Sequence, residues 1–197
     1  MANNMELLVE NNPFLTKKII RKADSKDARI LFLYPNERGM STIPPSIAGL
    51  SQILKNEGHT IGLFDTTFYK FDDEITVEDS DKIKANALEN RPVLDRDDDD
   101  LHFKKTTRSA VEDFRKLLVD FKPDLIAVSC TETTFLRAIR IIDETRDLGI
   151  KNIFGGVFPT FAPDLVMTYP NVDMVCVGEG ENAMVDLANS IGNQEKR

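Results

Sequence analysis

Arg29-Ile-Leu-Phe-Leu-Tyr34 is an apolar run of strand length, stopped by Pro35-Asn36. It has no polar alternation, which suits a strand buried on both faces, as in a parallel sheet covered by helices. Pro44-Pro45 then opens a helical pattern with Ile47, Leu50, Ile53 and Leu54 on one face, and Gly58 closes it. His59 to Thr67 reads as a second strand. A strand–helix–strand unit of this length implies a parallel, right-handed crossover.

The same grammar resumes downstream. Thr106 to Phe121 reads as a helix, Asp124 to Cys130 as a strand, Thr134 to Leu148 as a helix stopped by Gly149, and Asn152 to Phe154 as a strand ending at Gly155-Gly156. Pro163 to Tyr169 is a short helix, Met174 to Val177 a strand and Asn182 to Ile191 the last helix. Five strands alternating with helices predict a single α/β domain, an open doubly wound parallel five-stranded sheet of Rossmann-like or flavodoxin-like kind in the order 2-1-3-4-5. The domain covers residues 28–191, preceded by an extension over 1–27 and followed by a tail or truncated linker over 192–197. An insertion over about 71–105 interrupts it.

Composition narrows the function classes. The 197 residues are 41% apolar and 29% charged, and no apolar run approaches the roughly 20 residues of a spanning helix. The first ten residues have no basic start followed by an apolar stretch, so no secretory signal is read, and two cysteines are too few for a disulfide scaffold. The expected compartment is the cytoplasm. A net charge of -8 argues against a nucleic-acid partner. Between Phe71 and Asp100 twelve acidic residues face only Lys82, Lys84, Arg91 and Arg96, so this insertion carries a net charge equal to that of the whole chain. Its run Asp97 to Asp100 reads as a solvated face or mobile loop of unassigned role.

Ligands of open parallel sheets bind outside the carboxyl ends of the strands, near the point where strand order reverses. The inventory is therefore Tyr34-Pro35-Asn36-Glu-Arg-Gly39, Ser129-Cys130-Thr131-Glu-Thr-Thr134, Gly155-Gly156-Val-Phe-Pro159-Thr160 and Gly178-Glu179-Gly180-Glu181. All four are rich in Gly, Ser, Thr or Pro, which lets a bulky ligand approach the backbone. A phosphoacceptor receiver would need a carboxylate ending the third strand, where Ser129-Cys130 stand. Gly178-x-Gly180-x-x-Ala183 matches a dinucleotide fingerprint, but it follows the last strand with no complete βαβ unit after it. A flavin site would want its hydroxyl-rich loop after the first strand, and here that loop follows the third; flavin mononucleotide stays open as an occupant.

At these loops the sequence resembles the N-terminal cobalamin-binding domain of cobalamin-dependent radical S-adenosylmethionine enzymes. The likeness is carried by Phe32-Leu-Tyr-Pro-Asn36 with Ile43-Pro-Pro-Ser-Ile-Ala-Gly-Leu50, Asp124-Leu-Ile-Ala-Val-Ser129, Gly155-Gly-Val-Phe-Pro-Thr160 and Asp173-Met-Val-Cys-Val-Gly-Glu-Gly-Glu181. The broader cobalamin-domain family carries Asp-x-His-x-x-Gly after the first strand. This chain has Tyr34-x-Asn36-x-x-Gly39, keeping the glycine and losing the histidine that would ligate cobalt from below. His59 and His102 stand elsewhere and read as ordinary surface or turn histidines.

The resemblance implies cobalamin held without a histidine ligand, its corrin lying near Pro35, Asn36 and Thr131. The detached nucleotide tail would run beside the sheet past Ser129 and Gly155-Gly156, where a side chain at either glycine would collide with it. Gly178, Glu179 and Gly180 would meet the tail's polar groups, although Glu179 and Glu181 also suit simple capping of the last helix. It further implies a partner, a radical S-adenosylmethionine catalytic domain in the same longer chain or a separate one. S-adenosylmethionine and a [4Fe-4S] cluster would belong to that domain. Cys130 and Cys176, on separated strands, cannot hold the cluster and read as buried thiols. The resulting expectation is a cobalamin module, inactive alone, for methyl transfer or a related reaction; the alternative is a stand-alone ligand sensor or interaction domain using the same cleft.

Overall fold

In the computed structural model, which describes residues 27–36, 44–69, 71 and 106–194, the first apolar run forms β1 (Arg29–Tyr34). It sits between β2 (Thr60–Asp65) and β3 (Leu125–Ser129), and β4 (Lys151–Gly155) and β5 (Met174–Val175) complete the sheet. The order is β2-β1-β3-β4-β5 and every pairing is parallel, as the sequence predicts. The chain runs outward from β1 to β2 and then returns to β3, so the loops after β1 and β3 diverge at the carboxyl edge. That edge holds the topological switch point.

Both faces of the central strands are buried, which is why their sequences are continuously apolar. Leu31, Leu33, Ile126, Val128 and Phe154 pack beneath α2 (Ala110–Phe121) and α3 (Glu132–Asp143) against Phe114, Leu118, Phe135 and Ile142. On the opposite face Ile30, Phe32, Leu125, Ala127 and Ile153 meet Ile47 and Leu54 of α1 (Pro45–Asn56), with Met184 and Ala188 of the last helix. Each such large side chain stabilises the fold by about 1.5–3 kcal/mol on burial. Among the described residues no helix is long and apolar enough to cross a membrane.

Several boundaries differ from the sequence reading: β2, β3, β5 and the helix from Pro163 are shorter than expected, and the helices differ further. α2 starts at Ala110 because the Ser109 hydroxyl accepts from Glu112 N–H, and Thr106 instead donates its N–H to the Phe68 carbonyl. α3 begins two residues earlier than expected and stops at Asp143; a 3₁₀ turn, Arg146–Leu148, follows, with Thr145 Oγ1 donating to the carbonyls of Ile141 and Ile142. The Gly155–Thr160 loop contains an unexpected one-turn helix, α4 (Val157–Phe161), before α5 (Pro163–Met167). The last helix, α6 (Glu181–Gln194), runs past Ile191. The extension before Asp27, the acidic insertion after Phe71, Gly39, His102 and residues 195–197 lie outside the described residues.

Candidate functional site

The last inward-facing position of each strand falls in one row across the sheet. Asp65 pairs with Tyr34 and Ser129 with Gly155, and the same registers set Tyr34 beside Ser129 and Gly155 beside Cys176. By strand alternation this row faces the α1/α6 layer. All five members are half-buried, whereas Phe32, Ala127 and Ile153 in the row beneath are sealed. The three central strands thus have a closed floor with an open step above it toward the carboxyl edge, while Leu63 and Met174 at the two ends of the lower row are half-buried.

That step is kept shallow by small side chains. A Cβ on Gly155 would sit 3.7 Å from Cys176 Cβ, an ordinary contact, so a larger side chain would extend into the step itself. Gly180, just before α6, has the Leu50 side chain and Cys176 Sγ 3.6 and 3.7 Å from its own Cβ position, which closes the far wall from α1. Burial, then the neighbouring Asp65, raises the Tyr34 phenol above its ordinary range, and burial, then Glu181, raises the Cys176 thiol. At neutral pH both therefore line the step as neutral groups.

Gly156 behaves differently from Gly155. Its φ is 105°, and a Cβ there would lie 2.7 Å from the Cys130 carbonyl oxygen. The obstacle at Gly156 is the chain's own backbone, which supplies a structural reason for this glycine beside the tail collision that the sequence suggests. Cys130 itself points into the α2/α3 core, 4% exposed, where burial pushes its thiol up to about 12. Only its backbone belongs to the edge, donating N–H to the Gly155 carbonyl at 3.1 Å.

The loop after β1 is turned inward. Asn36 is 2% exposed; its Nδ2 donates to Thr67 Oγ1 at 2.9 Å, and its carbonyl accepts from Thr66 Oγ1 at 2.9 Å and Arg137 Nη1 at 3.1 Å. Thr67 is held in turn by Asp65, whose Oδ1 accepts from the Thr67 hydroxyl and N–H. Pro35 is buried too, while Thr131 is exposed at the start of α3, its N–H donating to Thr134 Oγ1. Pro159 is buried within α4. Thr160 Oγ1 donates to the Gly156 carbonyl at 2.8 Å and accepts from Gly178 N–H at 3.1 Å, joining the β4 and β5 loops. Gly178 adopts φ 80° and Glu179 is exposed.

Sequence reasoning left out the loop after β2. Asp65-Thr66-Thr67 carries the same hydroxyl-rich signal as the loop after β3 and could have been found by applying one rule to every strand end. Arg137, by contrast, had no signal: a lone arginine in an amphipathic helix reads as solvent-facing, and only the fold shows it buried.

Residues 36–188 match the family described as the B12 binding domain. The chain belongs to the B12-binding domain family. No curated protein matches. Solved structures of similar fold include the radical S-adenosylmethionine methyltransferase TsrM from Kitasatospora setae, in one case with tryptophan substrate and a S-adenosylmethionine analogue bound. That likeness covers 84% of this chain and 26% of the other at 18% identity, with a TM-score of 0.56. A second TsrM structure, with cobalamin and a [4Fe-4S] cluster bound, has 87% and 27% covered, 18% identity and a TM-score of 0.57. The chain spans about a quarter of those two proteins.

The half-buried row at the carboxyl edge is the part of the structure to compare with the family's cofactor. At Gly155 the row has room for a side chain, since a Cβ there meets only Cys176 Cβ at 3.7 Å and the Val128 carbonyl oxygen at 4.0 Å. Among the described residues no cluster of three or more His, Cys, Asp or Glu that could hold a metal ion exists. His59 is 4% exposed at the opposite, amino edge, where its Nδ1 accepts from Ala28 N–H.

Proposed function

We propose that this B12-binding domain holds cobalamin with its nucleotide tail detached from cobalt and with no histidine ligand, and serves a radical S-adenosylmethionine catalytic domain in methyl transfer or a related reaction. The observation that carries the reading is the half-buried row Tyr34, Ser129, Gly155 and Cys176 at the carboxyl edge, above the sealed Phe32, Ala127 and Ile153. When bound, cobalamin supplies a cobalt centre able to accept and hand on a carbon group.

The chain's own residues bind and orient. Ser129 offers a hydroxyl to the tail, Gly155 leaves its path clear, and Glu179 and Gly180 offer backbone amides at the start of α6, the Gly178 N–H being taken by Thr160 Oγ1. Thr131, exposed at the carboxyl edge, and the buried Pro35–Asn36 turn support the corrin. Asn36 supports a ligand-free lower face, since its amide is already committed to Thr67 and its carbonyl to Thr66 and Arg137. Val157, Phe161 and Val177, all exposed and flanking the Thr160–Gly178 junction, offer a catalytic domain an apolar edge beside the site.

Cys176 reports occupancy directly. In the full chain, cobalamin is expected to slow alkylation of Cys176 at least tenfold, on the order of the tightness of a filled slot, whereas cobinamide, which lacks the nucleotide tail, leaves the rate unchanged. Cys130 stays unreactive throughout and serves as the internal control. Equal reactivity of Cys176 with and without cobalamin would remove the tail from this slot. Because the thiol is raised, its labelling quickens only as pH climbs beyond the ordinary thiol range, and both arms are measured at one pH.

The inward setting of residue 36 has its own consequence. Installing the lost imidazole as Asn36→His is expected to leave the cob(II)alamin paramagnetic spectrum without nitrogen superhyperfine splitting, because the side chain at this position is directed to Thr67 rather than to the edge. A three-line nitrogen pattern in that variant would show that position 36 faces the cofactor.

A further inference from the structure

Arg137 lies in the second turn of α3, on the face of the sheet opposite the slot, and is 5% exposed. Its Nη1 reaches the Asn36 carbonyl at 3.1 Å, and its guanidinium carbon stands 4.4 Å from the centroid of the Phe71 ring. Asn36 is thus gripped from two elements, by Arg137 of α3 and by Thr66 and Thr67 at the end of β2. Burying a guanidinium carries a desolvation cost, and an apolar side chain of similar volume would fill the space without it. What the apolar side chain would lack is the charge-assisted donor that fixes a loop carbonyl at one point.

We infer that Arg137 is a positioning residue for the corrin seat: it holds the buried Pro35–Asn36 turn at the switch point between β1 and β3 and so fixes the support beneath the carboxyl edge on which the macrocycle would lie. The inference rests on the proposed cobalamin site and concerns its corrin half alone. Arg137 touches neither the row Tyr34–Ser129–Gly155–Cys176 nor the tail that would fill it.

The test is a visible-absorbance titration of the full chain with cobalamin and, separately, with cobinamide. Arg137→Met is expected to weaken both by the same factor, at least about tenfold, the size associated with one charge-assisted hydrogen bond. Protection of Cys176 by saturating cobalamin persists in this variant, and Cys130 stays unreactive. Arg137→Lys keeps a charged donor on the same helix position and is expected to recover affinity to within about threefold of wild type, while losing the guanidinium contact with the Phe71 ring. Unchanged affinity in Arg137→Met overturns the inference, as does weakening confined to cobalamin, which would place the effect on the tail. Exposure of Cys130 in both variants also overturns it, marking Arg137 as a general core support. Wild-type protein that takes up neither corrinoid overturns the functional reading, and the positioning role with it.

Discussion

Gly155→Phe is expected to weaken cobalamin binding by about 100-fold or more while the domain stays folded, because the ring must enter the space that the tail would occupy. Gly155 ends β4 between Ser129 and Cys176, with backbone that an L-residue can adopt. The first carbon of a new side chain meets Cys176 Cβ at 3.7 Å and the Val128 carbonyl oxygen at 4.0 Å, both ordinary contacts. Everything beyond that carbon projects into the open step. Gly155→Ala adds only the tolerated carbon and is expected to bind within a few-fold of wild type, on the order of one methyl group's effect. Visible absorption after incubation with hydroxocobalamin and desalting reads the binding, and urea unfolding reads the fold, expected to shift by less than about 1 kcal/mol. A Gly155→Phe protein that emerges coloured like wild type would mean that no slot exists at this row.

The second large effect falls on stability. Gly156→Ala is expected to destabilise the domain by roughly 2–4 kcal/mol, combining a left-handed backbone with a steric overlap. The overlap is with backbone, Cys130 O at 2.7 Å and Cys130 N at 3.1 Å, and that backbone is fixed by its own hydrogen bond to the Gly155 carbonyl. No rotamer change relieves it. Gly149→Ala provides the comparison: φ is 68° but nothing lies within 4 Å of its Cβ position, so only the conformational cost of about 1 kcal/mol is expected. Urea midpoints of the two variants separate these contributions; equal midpoints would show that the strand edge yields at Cys130. A substitution at Gly156 is therefore a poor probe of the tail path, and Gly155 is the position that tests it.

Much of the fold was legible before any coordinates because burial on two faces leaves a simple trace. Ile30–Leu33, Leu125–Val128 and Ile153–Phe154 are uninterrupted apolar runs, each followed within two residues by turn residues, and helical periodicity fills the spaces between them. The parallel order follows from that alternation and the handedness of crossovers. The breaks were harder to see. Thr145 ends α3 by bonding back to Ile141 and Ile142, and a hydroxyl in a helix pattern does not announce whether it will do so.

The candidate site divides the same way. Ser129, Gly155 and Gly178–Gly180 stood out as small or hydroxylated residues at strand ends, since the loops of such a sheet must carry its ligand. That Tyr34, Ser129, Gly155 and Cys176 share one row depends on strand register, and no single stretch of chain contains it. The same holds for Asn36. Its identity declares that histidine is missing, while its commitment to Thr66, Thr67 and Arg137, 30 to 101 residues away, is a product of packing. Local composition thus determined the strands, the crossovers and the ends that could meet a cofactor, because hydrophobic periodicity and turn chemistry act between near neighbours. Only the tertiary structure decided which glycine guards an open step and which is locked against its own backbone, because that distinction rests on contacts between strands whose residues meet through folding.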